Sequence, residues 1–328
     1  MKNNAAQNLT AFLKNYWKVS VCLTLLGSSA LSIIKTAQYQ ESKKPKQENA
    51  STISTDSLKN FILDSLFQIR FKPNEPETIG SEFFIFKEAP DYKNLEAITK
   101  DYPKAKDYIP IVQEAIEANK DVFPLDAVLV LGKIKAESGF ERFAISRVGA
   151  AGPSQLMPST AQGYKLKVYY PDYLKQAEIL NKEANELYKR AISLFTSKEF
   201  ELAKITYLDY EKKRKKADSL FSYYKKDLLS KVKGKPDSII KEIDERFILD
   251  KAIQIGANYL ALMFRKFEGD VRMGISAYNC GPEPVSKVKG IPYIKETIYY
   301  QNEIINFWKK YHKMCLEKPK EEQELYFK

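Results

Sequence analysis

Apolar residues recur at helical spacing through most of the chain after residue 108. The stretches YIPIVQEAIEANKD and PLDAVLVLGKIKAESGF carry them three and four residues apart, which predicts two helices joined by a short link. From Pro171 a second register begins. Tyr173, Ala177, Leu180, Ala184, Leu187, Ala191 and Leu194 step by alternating fours and threes. After a break at Thr196-Ser197 the same stepping resumes through Ala203, Tyr207, Tyr210, Arg214, Ala217, Phe221, Tyr224 and Leu228. One stripe on each of two long helices predicts a hairpin zipped along its length, ended by VKGKPDS at 232–238. Helical period returns in FILDKAIQIGANYLALMFRKF (247–267), then in VRMGISAYNCGPEPVSKV and IPYIKETIYYQNEIINFWKKY. The fold class is mainly α.

The first hundred residues read differently. Lys14 and Lys18 precede VSVCLTLLGSSALSII (19–34), which carries no charge, with Tyr16 and Trp17 placed as interface anchors. The segment reads as an uncleaved membrane anchor, the alternative being a secretory signal cleaved near Ser28-Ser29-Ala30. Either reading takes the rest of the chain out of the cytoplasm. Residues 38–57 are polar and aperiodic, a linker; 58–71 read as a short helix or strand pair, and Phe83–Phe86 as a strand-like piece.

Composition narrows the chemistry. Lys and Arg exceed Asp and Glu to give a net charge of +11, spread along the chain rather than blocked. A solvated Lys-rich surface explains that as well as an anionic partner does, and no nucleic-acid-binding module is visible. The single histidine, His312, lies in a Lys-rich stretch, and Cys22, Cys280 and Cys315 form no CxxC pair. A structural zinc site, a His-dependent nucleophile and a phosphate-binding loop are therefore all disfavoured. Cys280 and Cys315 could pair outside the cytoplasm. Any catalysis falls to carboxylates, with no cofactor and no metal expected.

Glu137 is the first candidate. Val130, Ile134 and Glu137 share one helix stripe, apolar until it reaches the carboxylate. Ser138-Gly139 then supply a stop, glycine being free to take the left-handed cap conformation. A carboxyl in the last turn meets the negative end of the helix dipole, and apolar neighbours desolvate it. Both raise its pKa, as a general acid near neutrality requires. A solvated helix-end glutamate is the plain alternative. Downstream, Gly149, Ala150 and Gly152 permit close backbone approach, Gln155 offers a neutral donor and acceptor, and Met157-Pro158 opens a new helix. Tyr278 and Asn279 precede a Gly281-Pro282 turn that can present a phenol and an amide.

These residues carry a resemblance. ESGF…A.S..GA.G..QLMPSTA, then I..GA.YLA.M...F.GD, then AYNCGP..V, then P.IKET..Y are similar to the ordered motifs of lytic transglycosylases of the soluble lytic murein transglycosylase type, glycoside hydrolase family 23. The match spans about Tyr108–Val168 and Ile248–Phe307. It implies a goose-lysozyme-like helical domain acting on the MurNAc-β-1,4-GlcNAc bond of peptidoglycan in the bacterial cell envelope. The protein would be either inner-membrane anchored and facing the periplasm, or periplasmic. Glu137 matches the family's single catalytic acid. Ser146, Gly149, Gln155, Met157, Tyr278, Asn279 and Tyr300 match positions lining the glycan groove. Departures from the pattern are Pro153-Ser154 in place of Leu-Met, Ala252-Ile253 before the GA.YL helix, Cys280 in place of alanine, and Ile298-Tyr299 after ET.

The organisation that follows is a signal or anchor at 1–37 and a linker with a small region at 38–107. Domain halves at 108–168 and 248–311 flank an inserted hairpin at 169–247, and a charged tail occupies 312–328. The hairpin is expected to dock a protein partner or lengthen the groove. The alternatives are a goose-type lysozyme-like hydrolase, or a weakly catalytic glycan-binding scaffold of an envelope or secretion machine.

Overall fold

Residues 127–132 are apolar on every side of their helix and can only be buried, and the chain builds its larger unit around them. The computed structural model describes Ser57, Phe61 and residues 89–317. The proposed anchor at 19–34 and the strand-like piece at 83–86 lie outside the described residues. Ten α-helices are described: α1 Ile109–Asn119, α2 Ala127–Ser138, α3 Pro158–Gly163, α4 Asp172–Thr196, α5 Phe200–Val232, α6 Asp237–Ile243, α7 Leu249–Lys266, α8 Val271–Cys280, α9 Pro282–Val288 and α10 Lys295–Leu316. The described residues hold no strand, only two isolated bridges in the loop after α2, Ile145 with Ala151 and Ala151 with Leu156.

Residues 89–178 and 218–317 form one compact unit; residues 179–217, with Ser57 and Phe61, form another. In the larger unit α2 is the axis. Val128, Leu129, Val130, Leu131 and Ile134 are all buried, and its small Gly132 lets α10 close in. A Cβ there would lie 2.8 Å from the Phe307 ring. Around α2 pack Val112 and Ala115 of α1, Ile253, Ala257, Leu260 and Phe264 of α7, Ile275 of α8, and Ile304 and Tyr311 of α10.

Asp126 caps α2. Its carboxylate accepts Leu129 N–H at 2.8 Å, Tyr92 O–H at 2.7 Å and Trp308 Nε1–H at 2.9 Å, and it is 1% exposed. Three donors offset part of the cost of burying the carboxylate, whose pKa burial still raises on balance, and two of them tie distant parts of the chain to the start of the helix. His312, expected in a charged tail, lies inside α10. Its Nδ1 is 2.7 Å from Tyr92 Oη, and its ring lies 4.3 Å from that of Trp308. Cys280 and Cys315 are free thiols, Cys315 fully buried.

The predicted hairpin is present, with its break at 197–199 and its end at Val232. Its stripe differs in detail. On α4 the buried residues are Leu174, Ala177, Ala184, Ala191 and Phe195, whereas Tyr173, Leu180, Leu187 and Leu194 are only partly covered. Small alanines let two helices approach closely, which pushes the longer side chains to the flanks of the seam. In the smaller unit Phe61, which is helical, enters an aromatic cluster 4.4 Å from Tyr207, 5.8 Å from Phe195 and 6.0 Å from Tyr188. Ion pairing of Lys213 with Glu183 and a hydrogen bond from Arg214 to Asn181 tie α4 to α5 there.

Asp126→Ala would leave two side-chain donors and one backbone donor without their acceptor. Urea unfolding should report a loss of roughly 2–4 kcal/mol.

Candidate active site

Glu137 sits in the last turn of α2, where the helix leaves the core. Gly139 ends the helix in the left-handed conformation (φ 60°, ψ 30°), its N–H bonded to Lys135 O. Tyr300 of α10 donates its hydroxyl to Glu137 Oε1 at 2.6 Å. Burial is the largest influence on the carboxyl and raises its pKa to about 7; the Lys133 charge and the Tyr300 hydrogen bond pull down, and Glu296 and Glu303 push up. The residue as a whole is only partly buried, at the point where the helix leaves the core. A carboxyl that is protonated near neutrality and reachable from solvent can act as a general acid.

The elements facing Glu137 are fastened to one another. Asp270 caps α8 by accepting Met273 N–H at 2.9 Å, which starts the helix that ends in Tyr278 and Asn279. Tyr278 donates to Ser154 O at 3.1 Å, and its ring packs 5.3 Å from that of Tyr259. Thr297 donates to Asn279 Oδ1 at 2.7 Å and Ser276 to Gln301 Oε1 at 3.1 Å. Those two bonds set α8 against α10, and so fix where Tyr300 stands.

The loop between α2 and α3 is shaped by its own polar groups. Ser146 Oγ accepts the N–H groups of Val148 and Ala150 at 3.2 and 3.0 Å. Gln155, at φ 44°, donates its Nε2 to Gly152 O at 2.8 Å and Ala144 O at 3.2 Å. Gly152 has φ 78°, and a Cβ on it would lie 1.9 Å from Arg246 O. Beneath the loop, Arg246 is fully buried against Asp244, at 3.0 and 2.7 Å. It donates to Gly149 O at 2.9 Å, Leu156 O at 3.1 Å and Tyr224 Oη at 2.6 Å. Burial alone would weaken the guanidinium's hold on its proton; the bonds and charge of Asp244 outweigh that and raise its pKa.

The eight residues expected to form the site therefore divide. Tyr300 touches Glu137, and the phenol of Tyr278 has its pKa raised first by burial and then by the charge of the Glu137 carboxylate. The polar contacts of Ser146, Gly149 and Gln155 hold the loop, Asn279 is engaged by Thr297, and Met157 stands half-buried at the start of α3. Glu141, the other acidic residue near Glu137 in sequence, is exposed and ion-paired with Lys104. Sequence reasoning passed over Lys133 and Arg246, and noted Ser154 only as a departure from the family pattern. A lysine inside an apolar helix is the one signal that could have found Lys133. Asp244 and Arg246 lie in a short turn with no period to mark them.

The family model of the transglycosylase SLT domain matches residues 114–190 and 228–301. The chain belongs to this family. No solved structure gives a significant match. Members of the SLT family are lytic transglycosylases with a lysozyme-like helical domain, and the mainly helical architecture described above agrees with that. The two matched segments flank 191–227, so the part of the hairpin outside the SLT match includes its turn.

Two substitutions probe this arrangement. Tyr300→Phe removes a hydrogen bond that favours the carboxylate, so the pKa of Glu137 should rise. The alkaline limb of the activity profile should then move to higher pH, with a rate loss of roughly tenfold. Gly152→Ala places a methyl group against Arg246 O at a backbone angle that alanine resists. Thermal or urea unfolding should show a loss of about 3 kcal/mol or more.

Proposed function

We propose that this protein is a peptidoglycan lytic transglycosylase that cleaves the MurNAc-β-1,4-GlcNAc bond with Glu137 as its one catalytic carboxyl. The observation that carries the reading is the Glu137 carboxyl itself: desolvated at the end of α2, in a residue that is only partly buried as a whole, and held by the Tyr300 hydroxyl at 2.6 Å. Protonated Glu137 gives its proton to the glycosidic oxygen as the C1–O bond breaks, and the N-acetyl carbonyl of MurNAc stabilises C1. The Glu137 carboxylate then takes the proton of the MurNAc C6 hydroxyl while O6 bonds to C1. The products are a free GlcNAc 4-hydroxyl and a 1,6-anhydroMurNAc end; no water is consumed, and Glu137 regains its proton. One carboxyl suffices because the substrate supplies both the internal nucleophile and the stabilising carbonyl.

The proposal places the enzyme in the bacterial cell envelope, held at the inner membrane by 19–34 or released to the periplasm if that segment is cleaved. A protein partner docked on the hairpin belongs to the same proposal. Its support is that α4 and α5 leave Ile179, Leu202 and Ile205 exposed.

Digestion of purified sacculi followed by mass spectrometry tests the chemistry. The parent should release anhydro-muramyl ends, and Glu137→Gln should release none while unfolding at the same temperature. Reducing ends would instead mean hydrolysis of the lysozyme kind. Because Glu137 must begin protonated, kcat/KM should be high below pH 7 and fall as pH rises through about 7. The same sign holds for stability. A carboxyl whose folded pKa is raised stabilises the fold at low pH, and that contribution fades as pH climbs from the unfolded value to the folded one.

A further inference from the structure

Lys133 is out of place by every local rule. It lies in the middle of α2 among Val128, Leu129, Val130, Leu131 and Ile134, and is 2% exposed. A buried ammonium loses its hydration, so a methionine or leucine would pack there at far lower cost. The surroundings nevertheless make room for it. Its Nζ lies 4.4 Å from the centre of the Tyr278 ring, within cation–π range. Across from it, α7 carries Gly256, where a Cβ would fall 2.7 Å from Lys133 Nζ and 2.4 Å from Ser154 Oγ. A missing side chain on α7 thus opens the space that both polar groups enter. Ser154 Oγ is buried there with no hydrogen-bond partner among the described residues.

Lys133 and Glu137 are four residues apart, one above the other on the same face of α2. We propose that Lys133 is a positioning residue, holding a positive charge behind Glu137 so that the carboxylate left by proton donation is balanced until it recovers a proton. This rests on the reading of Glu137 as the reacting acid and adds to it the group that lets one carboxyl serve first as acid and then as base. Lys133 transfers no proton in either step.

The other groups facing Glu137 cannot supply that charge. From α10 come the Tyr300 hydroxyl, which donates a hydrogen bond, and Glu296 and Glu303, whose negative charges oppose ionisation. Glu303 is itself ion-paired with Lys135. From α8 comes the Tyr278 phenol, with Tyr259 of α7 and Tyr164 beyond it. Among the described residues, Lys133 is thus the cation that acts most strongly on the carboxyl. Burial lowers its own pKa, and the charge of the Glu137 carboxylate opposes that, so ionisation of the carboxyl favours the charged form of the lysine.

Lys133→Met keeps the length and removes the charge. In the full chain, the alkaline limb of sacculus cleavage should move up by about one pH unit, and the maximal rate should fall roughly tenfold. The carboxyl carbon of Glu137, identified by its loss in Glu137→Gln after glutamate ¹³C labelling, should titrate at correspondingly higher pH. A folded Lys133→Met protein whose limb and carboxyl titration overlay those of the parent would overturn the proposal. Should that variant not fold, the parent alone decides. Its Glu137 carboxyl signal should show a second inflection above the first, where Lys133 loses its proton, and a single inflection would overturn the proposal. The titration is read without substrate. An active Glu137→Gln would therefore overturn Glu137 as the reacting acid, an outcome distinct from a Lys133→Met titration that overlays the parent's and overturns the role of Lys133 alone.

Discussion

Pulling one carboxyl partly out of water is the constraint on which this structure turns. Glu137 stands where a glutamate can hold its proton near neutrality: at the end of a buried helix, desolvated, with the charges of Glu296 and Glu303 also opposing ionisation. Desolvation disfavours the anion, and the Tyr300 hydroxyl and the Lys133 ammonium limit how far. Without them the carboxyl would keep its proton to still higher pH. Without the burial it would have lost that proton already.

Much of the larger unit can be understood as the means of holding those few groups still. Asp126 anchors the start of α2 and ties it to Tyr92 and to Trp308 of α10. Gly132 lets α10 approach, and Thr297–Asn279 and Ser276–Gln301 lock α10 to α8. The Asp244–Arg246 pair does the same for the loop after α2, replacing lost hydration with bonds to Gly149 O, Leu156 O and Tyr224. A buried ion pair contributes little net stability by itself. This one defines a loop that has almost no regular structure of its own.

Reading the sequence as a set of periods recovered the helices, the hairpin and its break, because side-chain spacing is a local property. It was less accurate on which face of α4 is buried. Alternating threes and fours mark a stripe, but whether Leu180 or Ala184 sits at its centre depends on how closely the second helix comes. The residues expected to line a glycan groove came from the resemblance of the ordered motifs. The structure distinguishes Tyr300, in contact with Glu137, from Ser146 and Gln155, whose hydrogen bonds go into the loop.

What the sequence determined by itself was therefore the helical class, the stop at Ser138-Gly139, and the choice of Glu137 as the carboxyl worth watching. These follow from periodicity, glycine stereochemistry and residue type, all read within a few neighbours. Only the tertiary structure decided that Tyr300, from the far side of the hairpin in sequence, meets Glu137 and that Gly256 leaves room for a buried lysine. Only it decided that Arg246 braces the loop. Those are contacts between residues roughly 100 or more positions apart, and no local pattern encodes a distance that packing alone sets.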